Sequence, residues 1–157
     1  MKNVLKLIIS IILVWIVAGL GSLFTASSVS TWFTTLAKPS FSPPNWLFGP
    51  VWTILYLMIG IALFLVWTTK ANKILKRKAY YIFGIQLILN TMWSVAFFGA
   101  HNPFLAFIII VLLWISILLN IIEFYKIKKS AGLLLLPYIL WVSFAAVLNF
   151  AIYWLNR

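Results

Sequence analysis

The sequence predicts an all-α integral membrane protein: a bundle of five transmembrane helices with a long outside loop between helices 1 and 2. Three observations predict it. Of the 157 residues, 65% are hydrophobic and only 8% charged, more apolar surface than a soluble domain of this size can hide. The apolar residues gather into five runs, each near the roughly 20 residues that cross hydrocarbon as a helix. Strand-like alternation with turn signals is absent, so helices and not a closed barrel must satisfy the backbone in lipid. Residues 1–157 form a single five-helix membrane domain.

The first run, about 5–26, follows Lys2 and Lys6. It has the charge of a signal peptide but is longer than an h-region and lacks an A-x-A-like site, so it reads as a span. A polar loop, about 27–46, comes next. Within it Trp32, Phe33 and Leu36 include an i, i+4 pairing that predicts a short interfacial helix. A loop this long and aromatic reads as a lid, with Trp32, Lys38 and Trp46 as its anchoring side chains. The alternative is a loop that only caps the bundle. The stretch Ser42 to Thr53, with Pro43, Pro44 and Pro50, turns the chain into the second run, about 47–68, because proline suits a helix start. The third run, about 79–98, is joined by the tight Gly99–Asn102 link to the fourth, about 103–124. The fifth covers about 133–155.

Charge decides orientation. Lys2, Lys6, Lys70, Lys73, Lys76, Arg77, Lys78, Lys126, Lys128 and Lys129 all fall on one side, and only Lys38 and Arg157 on the other. The basic side is expected to be cytoplasmic, which leaves the C-terminus and the first loop outside. The net charge of +11 is therefore a topology signal and not a nucleic-acid stripe. Together with a Lys/Ile/Asn-rich composition it fits a bacterial cytoplasmic membrane.

Polar groups in hydrocarbon face the bundle interior. Gln86, Asn90, Trp93, Ser94 and Phe97 share one face of the third helix, and Tyr138, Trp141, Ala145 and Asn149 one face of the fifth. Trp52 and Tyr56 offer an i, i+4 pair on the second. At a rise of about 1.5 Å per residue, most of these lie in the outer half of the bilayer, below the proline stretch, with Pro44 at its rim. They predict an aromatic-lined pocket with a few hydrogen-bonding groups. For Asn90 and Asn149, helix-to-helix hydrogen bonding is the equal alternative. Trp32, Trp46, Trp67 and Trp154 lie near run ends, where a belt or packing role suffices.

Conventional catalytic chemistry is missing. The chain has no cysteine and one histidine, His101, so no metal site is expected. Its single acid, Glu123, lies three residues before Lys126 and reads as a helix-end ion pair. No nucleophile–base pair, carboxylate pair or phosphate loop is present, nor an acid buried mid-membrane for proton-coupled transport.

At these residues the sequence resembles the translocator protein family, also called tryptophan-rich sensory proteins or peripheral benzodiazepine receptors. The matching segments are Lys38-Pro39-Ser40, Pro43-Pro44-x-Trp46, Gly49-Pro50-Val51-Trp52-Thr53-x-x-Tyr56, Gln86-Leu87-x-Leu89-Asn90-x-x-Trp93-Ser94, Phe97-Phe98-Gly99-Ala100 and Pro137-Tyr138-x-x-Trp141-Val142-x-Phe144-Ala145-x-x-Leu148-Asn149. Their order and spacing cover nearly the whole chain. The resemblance implies a homodimer of five-helix bundles. It also implies a pocket for porphyrins such as protoporphyrin IX and for isoquinoline carboxamide or benzodiazepine ligands, lined by Trp52, Asn90, Trp93, Trp141 and Ala145. No cofactor is implied; the porphyrin is ligand or substrate. Transport or stress sensing would follow from binding. The resemblance also implies an alternative, light- and oxygen-dependent porphyrin degradation with Trp52 and Trp141 as the reactive indoles. A further alternative is a non-catalytic membrane interaction protein. The chain departs from the family at Phe41 and His101, and Gly84 is followed four residues on by Ile88, a poor small-residue spacing for a dimer face on the third helix. The stretch from Leu148 through Tyr153 to Arg157 fits a proposed sterol pattern too weak to carry an assignment.

Overall fold

A computed structural model describes residues 2–157. Helix α1 spans Asn3–Val29 and is followed by a single turn, α2 (Trp32–Thr35). An extended stretch then leads into a 3-10 turn, Asn45–Leu47, which runs directly into α3 (Phe48–Thr68). Helix α4 (Lys73–Ser94) continues through a π turn at Val95–Gly99. Helix α5 covers Pro103–Ile127, α6 Lys129–Leu133 and α7 Leu136–Leu155. Among the described residues there is no strand. Five segments are long and apolar enough to cross a membrane: Asn3–Val29, Asn45–Thr68, Lys73–Gly99, Pro103–Ile127 and Lys129–Leu155.

The expected five spans are present, with two local differences. Helix α4 starts well before the third apolar run. Its first turns, Lys73 to Lys78, are polar but good helix formers, and Asn72 caps them by accepting from the Ile74 N–H at 2.8 Å. The fifth run is not one helix. The chain turns at Leu134–Leu135 between α6 and α7, because Pro137 has no N–H with which to continue the ladder back to Leu133. Gly132 lets α6 close onto α5: a Cβ there would sit 2.6 Å from Tyr125 Cβ and 2.9 Å from the Ile121 carbonyl oxygen.

The outer faces are apolar, as the interior is. Ile8, Ile12 and Ile16 on α1, and Leu112, Ile115 and Leu119 on α5, are exposed on outer faces, where lipid would meet them. The interior holds Val14, Ile59, Ala62, Val66, Ile117 and Phe124. It also holds Gln86, Asn90, Asn120, Glu123 and Asn149, all buried. Helix α1 lies against α3 and α4, α4 pairs along α5, and α5 packs on α7. At the basic end, Glu123 takes both Lys78 and Lys126 at 2.9 Å. The pairing expected with Lys126 is thus joined by a cation from α4.

The π turn closes with the Ala100 N–H donating to the Val95 carbonyl at 2.7 Å. Its extra residue widens the helix, and both Phe97 and Phe98 end up buried. His101, at φ 51°, reverses the chain, and Asn102 caps α5 by accepting from the Leu105 N–H at 3.0 Å.

Candidate functional site

The helix ends on the side of the α1–α3 loop surround a cavity of about 120 Å³ beneath that loop. Helix α1 contributes Ala18, Ser22, Thr25 and Val29, at i, i+4, i+7 and i+11, one continuous face. The Ser22 and Thr25 hydroxyls donate to carbonyls of their own helix, Gly19 and Gly21, so this wall is small and nearly neutral. Phe33 of α2 closes the cavity from the loop side. Phe48, Trp52 and Tyr56 repeat every four residues along α3. Trp93, Ser94, Phe97 and Phe98 come from α4 and its π turn; Ala145, Leu148, Asn149 and Ile152 come from α7. No charged side chain is on the wall.

Two hydrogen-bond systems hold this surface. The Trp93 indole N–H donates to Asn149 Oδ1 at 2.9 Å, and Asn149 Nδ2 donates to the Pro103 carbonyl at 2.8 Å. These bonds tie α4, α7 and the start of α5 together. Beneath the cavity the Tyr56 hydroxyl donates to Asn90 Oδ1 at 2.8 Å, Asn90 Nδ2 donates to the Tyr138 hydroxyl oxygen at 2.9 Å, and that hydroxyl donates to Gln86 Oε1 at 3.0 Å. The chain ends on Gln86 Nε2, a buried donor with no partner. Trp52 stacks on Tyr56, centroids 5.2 Å apart, and meets Tyr138 edge-on at 6.1 Å. The polar chain thereby sets the floor on which Trp52 rests.

The loop is fastened across the top. Asn156, just past α7, accepts from the Ala37 N–H at 3.0 Å and donates to the Ala37 carbonyl at 2.9 Å. Trp32 stacks on His101 at 4.4 Å, and Ser28 Oγ donates to the Phe98 carbonyl at 2.7 Å. Lys38 Nζ lies 4.7 Å from the centre of the Phe33 ring, an attractive geometry for a cation.

Of the residues expected at the site, Trp52, Tyr56, Trp93, Ser94, Phe97, Ala145 and Asn149 line the cavity. Gln86, Asn90, Pro44 and Trp141 do not. Asn90 lies one turn deeper than Ser94 and Gln86 about two, and both are engaged in the floor network. Pro44 precedes the 3-10 turn in extended backbone, off the wall. Trp141 stands behind Phe48, at 6.0 Å, and faces a groove between α3 and α7 with Leu55, Met58 and Pro137. It shares an α7 face with Leu148 and Ile152 but sits one turn before Ala145, where the α7 part of the wall begins. Among the lid residues, Trp32 and Lys38 engage the closing surface. Trp46 does not, since it is 70% exposed.

The sequence reading overlooked the α1 wall. Its signal was present, in small and hydroxyl residues spaced i, i+4, i+7 within a run of bulky aliphatics. Phe33, Phe48, Phe98, Leu148 and Ile152 carry no comparable signal, since apolar residues near the ends of apolar runs are common.

A model of the TspO/MBR family matches residues 9–155. The Tryptophan-rich protein TspO of Archaeoglobus fulgidus is 49% identical over 154 residues, covering 98% of this chain and 99% of that one. A protein of the same name from Chlorobaculum tepidum is 48% identical over 155 residues, covering 99% and 98%. The human Translocator protein is 33% identical over 136 residues, covering 85% and 79%.

Proposed function

We propose that this chain, which belongs to the TspO/MBR family of multi-pass membrane proteins, binds porphyrins of the protoporphyrin IX type, and hydrophobic drug-like ligands, in the cavity beneath its first loop. The observation that carries the reading is the cavity wall: two indoles and four phenyl rings around an uncharged space. Such a surface suits a flat π-system by stacking and edge contacts. The Lys38 ammonium at the loop side would meet the propionates of a bound porphyrin. Binding would serve transport or sensing of the ligand. The same reading puts the basic end of the bundle in the cytoplasm of a bacterial cell and makes the protein a homodimer.

Size sets a condition on this function. A drug-sized ligand occupies a pocket of roughly 300–1,000 Å³, several times the space enclosed. The loop must therefore lift, and Phe33 or Phe48 must turn, before a porphyrin enters. Degradation of the porphyrin by two cavity indoles is the weaker reading, because of that pair only Trp52 lines the space.

The test is a titration of the purified protein in detergent with protoporphyrin IX, read as the midpoint of tryptophan quenching. Trp52→Phe is expected to weaken binding about tenfold, the loss of roughly one good aromatic contact. Trp141→Phe is expected to shift it less than about twofold, consistent with a ring outside the wall. An absence of saturable quenching, or equal effects of the two substitutions, refutes the assignment.

A further inference from the structure

We propose that the basic end of the bundle carries a binding site for one anionic phospholipid headgroup, formed by Lys6 and Lys76 where they meet Trp67. Trp67 lies in the last turns of α3, between the start of α1 and the start of α4. Lys6 Nζ sits over its indole at 5.8 Å from the ring centre, and Lys76 Nζ donates to its carbonyl oxygen at 3.1 Å. Two elements thus bring two ammonium groups to a single tryptophan.

Burial separates these lysines from their neighbours. At this end of the molecule Lys6 and Lys76 are half-buried, while every other basic side chain is exposed. Gathering two like charges in a partly desolvated place is unfavourable without a counter-charge. The chain has none to give. Its one acidic side chain, Glu123, is already shared by Lys78 and Lys126. The contact to the Trp67 carbonyl answers one of the three donors on Lys76 and helps end α3. The remaining donors on Lys76, and all those on Lys6, are left for an external anion.

The surroundings specify a lipid over a free anion. A tryptophan at a span end marks the headgroup level. Ile9, about one turn after Lys6 on α1, is 37% exposed and offers an acyl chain a neighbouring apolar surface. A phosphodiester bridging the two ammoniums would accept two charge-assisted hydrogen bonds while its chains stay in the hydrocarbon.

The experiment is native mass spectrometry of the full chain with added phosphatidylglycerol or phosphatidylcholine. It compares wild type, Lys6→Gln/Lys76→Gln and a control of equal charge change, Lys73→Gln/Lys128→Gln. The first phosphatidylglycerol is expected to bind about tenfold more tightly than phosphatidylcholine, and the Lys6/Lys76 pair of substitutions to remove about tenfold, while the control stays within about twofold. Lys6→Arg/Lys76→Arg should keep the preference. Should the double variant not fold, Lys6→Gln alone, which removes no hydrogen bond, is expected to lower affinity about threefold. Equal losses in the two double variants, an unchanged Lys6→Gln, no preference for the anionic lipid, or displacement of the lipid by inorganic phosphate at equal concentration would each overturn the proposal.

Discussion

Replacing Asn90 with leucine tests whether the floor network is an energetic unit. Asn90 accepts from Tyr56 and donates to Tyr138. Leucine has a similar shape, so the change removes hydrogen bonds without opening a large void. The two tyrosines then fare differently. Tyr138 keeps Gln86 as its acceptor and loses only a bond it received, about 0.6 kcal/mol between membrane helices. Tyr56 loses the one acceptor recorded for its hydroxyl, and stranding a buried donor costs about 1–3 kcal/mol. The expected destabilisation is about 2–3 kcal/mol, at the lower end if water in the adjoining cavity reaches the hydroxyl. Equilibrium unfolding in mixed detergent–SDS micelles, followed by far-UV circular dichroism, measures it. Tyr56→Phe should be milder alone and should recover about 1 kcal/mol or more when combined with Asn90→Leu, since the stranded hydroxyl disappears. A cost below about 0.5 kcal/mol for Asn90→Leu, or a strictly additive cycle, refutes the network as a coupled unit. Because Trp52 rests on Tyr56, the same substitution should also weaken porphyrin quenching.

Two further outcomes bear on the loop and on the close helix contact. Asn156→Ala removes both bonds to Ala37. Amide hydrogen exchange at Ala37 should rise about tenfold with little change in global unfolding, the signature of a local opening; unchanged protection would mean the loop is held elsewhere. Gly132→Ala sets a Cβ against backbone and side chain of α5 and should destabilise by about 1–3 kcal/mol. Gly84→Ala, with nothing within 4 Å of the added carbon, should be neutral or slightly stabilising, as alanine is the better helix former. Unfolding midpoints of the two variants compare them directly, and equal midpoints would contradict the α5–α6 packing.

What was legible in the chain follows from what is local. Five spans are visible because hydrophobic length is a property of contiguous residues, and the Gly99–Asn102 link because tight turns are built from their own side chains. The seven expected residues on the cavity wall were legible because polar groups in lipid have only the interior to face, and the aromatics among the seven share their helical faces. Position along the helix was not. Trp141 shares an α7 face with Leu148 and Ile152, which line the cavity, yet it sits a turn before Ala145, and only the crossing of α7 against α3 decides which residues of that face meet the space. Asn90 and Gln86 are interior too, but a turn or two too deep, where they meet tyrosines and not open space. The fastening of the loop was invisible for another reason: Asn156 and Ala37 lie 119 residues apart, and neither carries a motif. That latch matters to the proposed function because the enclosed volume is too small for the ligand. Two hydrogen bonds at an exposed site contribute about 1–3 kcal/mol together, little enough for ligand binding to overcome. The indoles and the floor beneath them are held by the deeper Trp93–Asn149 and Tyr56–Asn90–Tyr138 bonds. The architecture therefore divides the work between a weakly fastened cover that can yield and a firmly bonded wall that keeps its shape when it does.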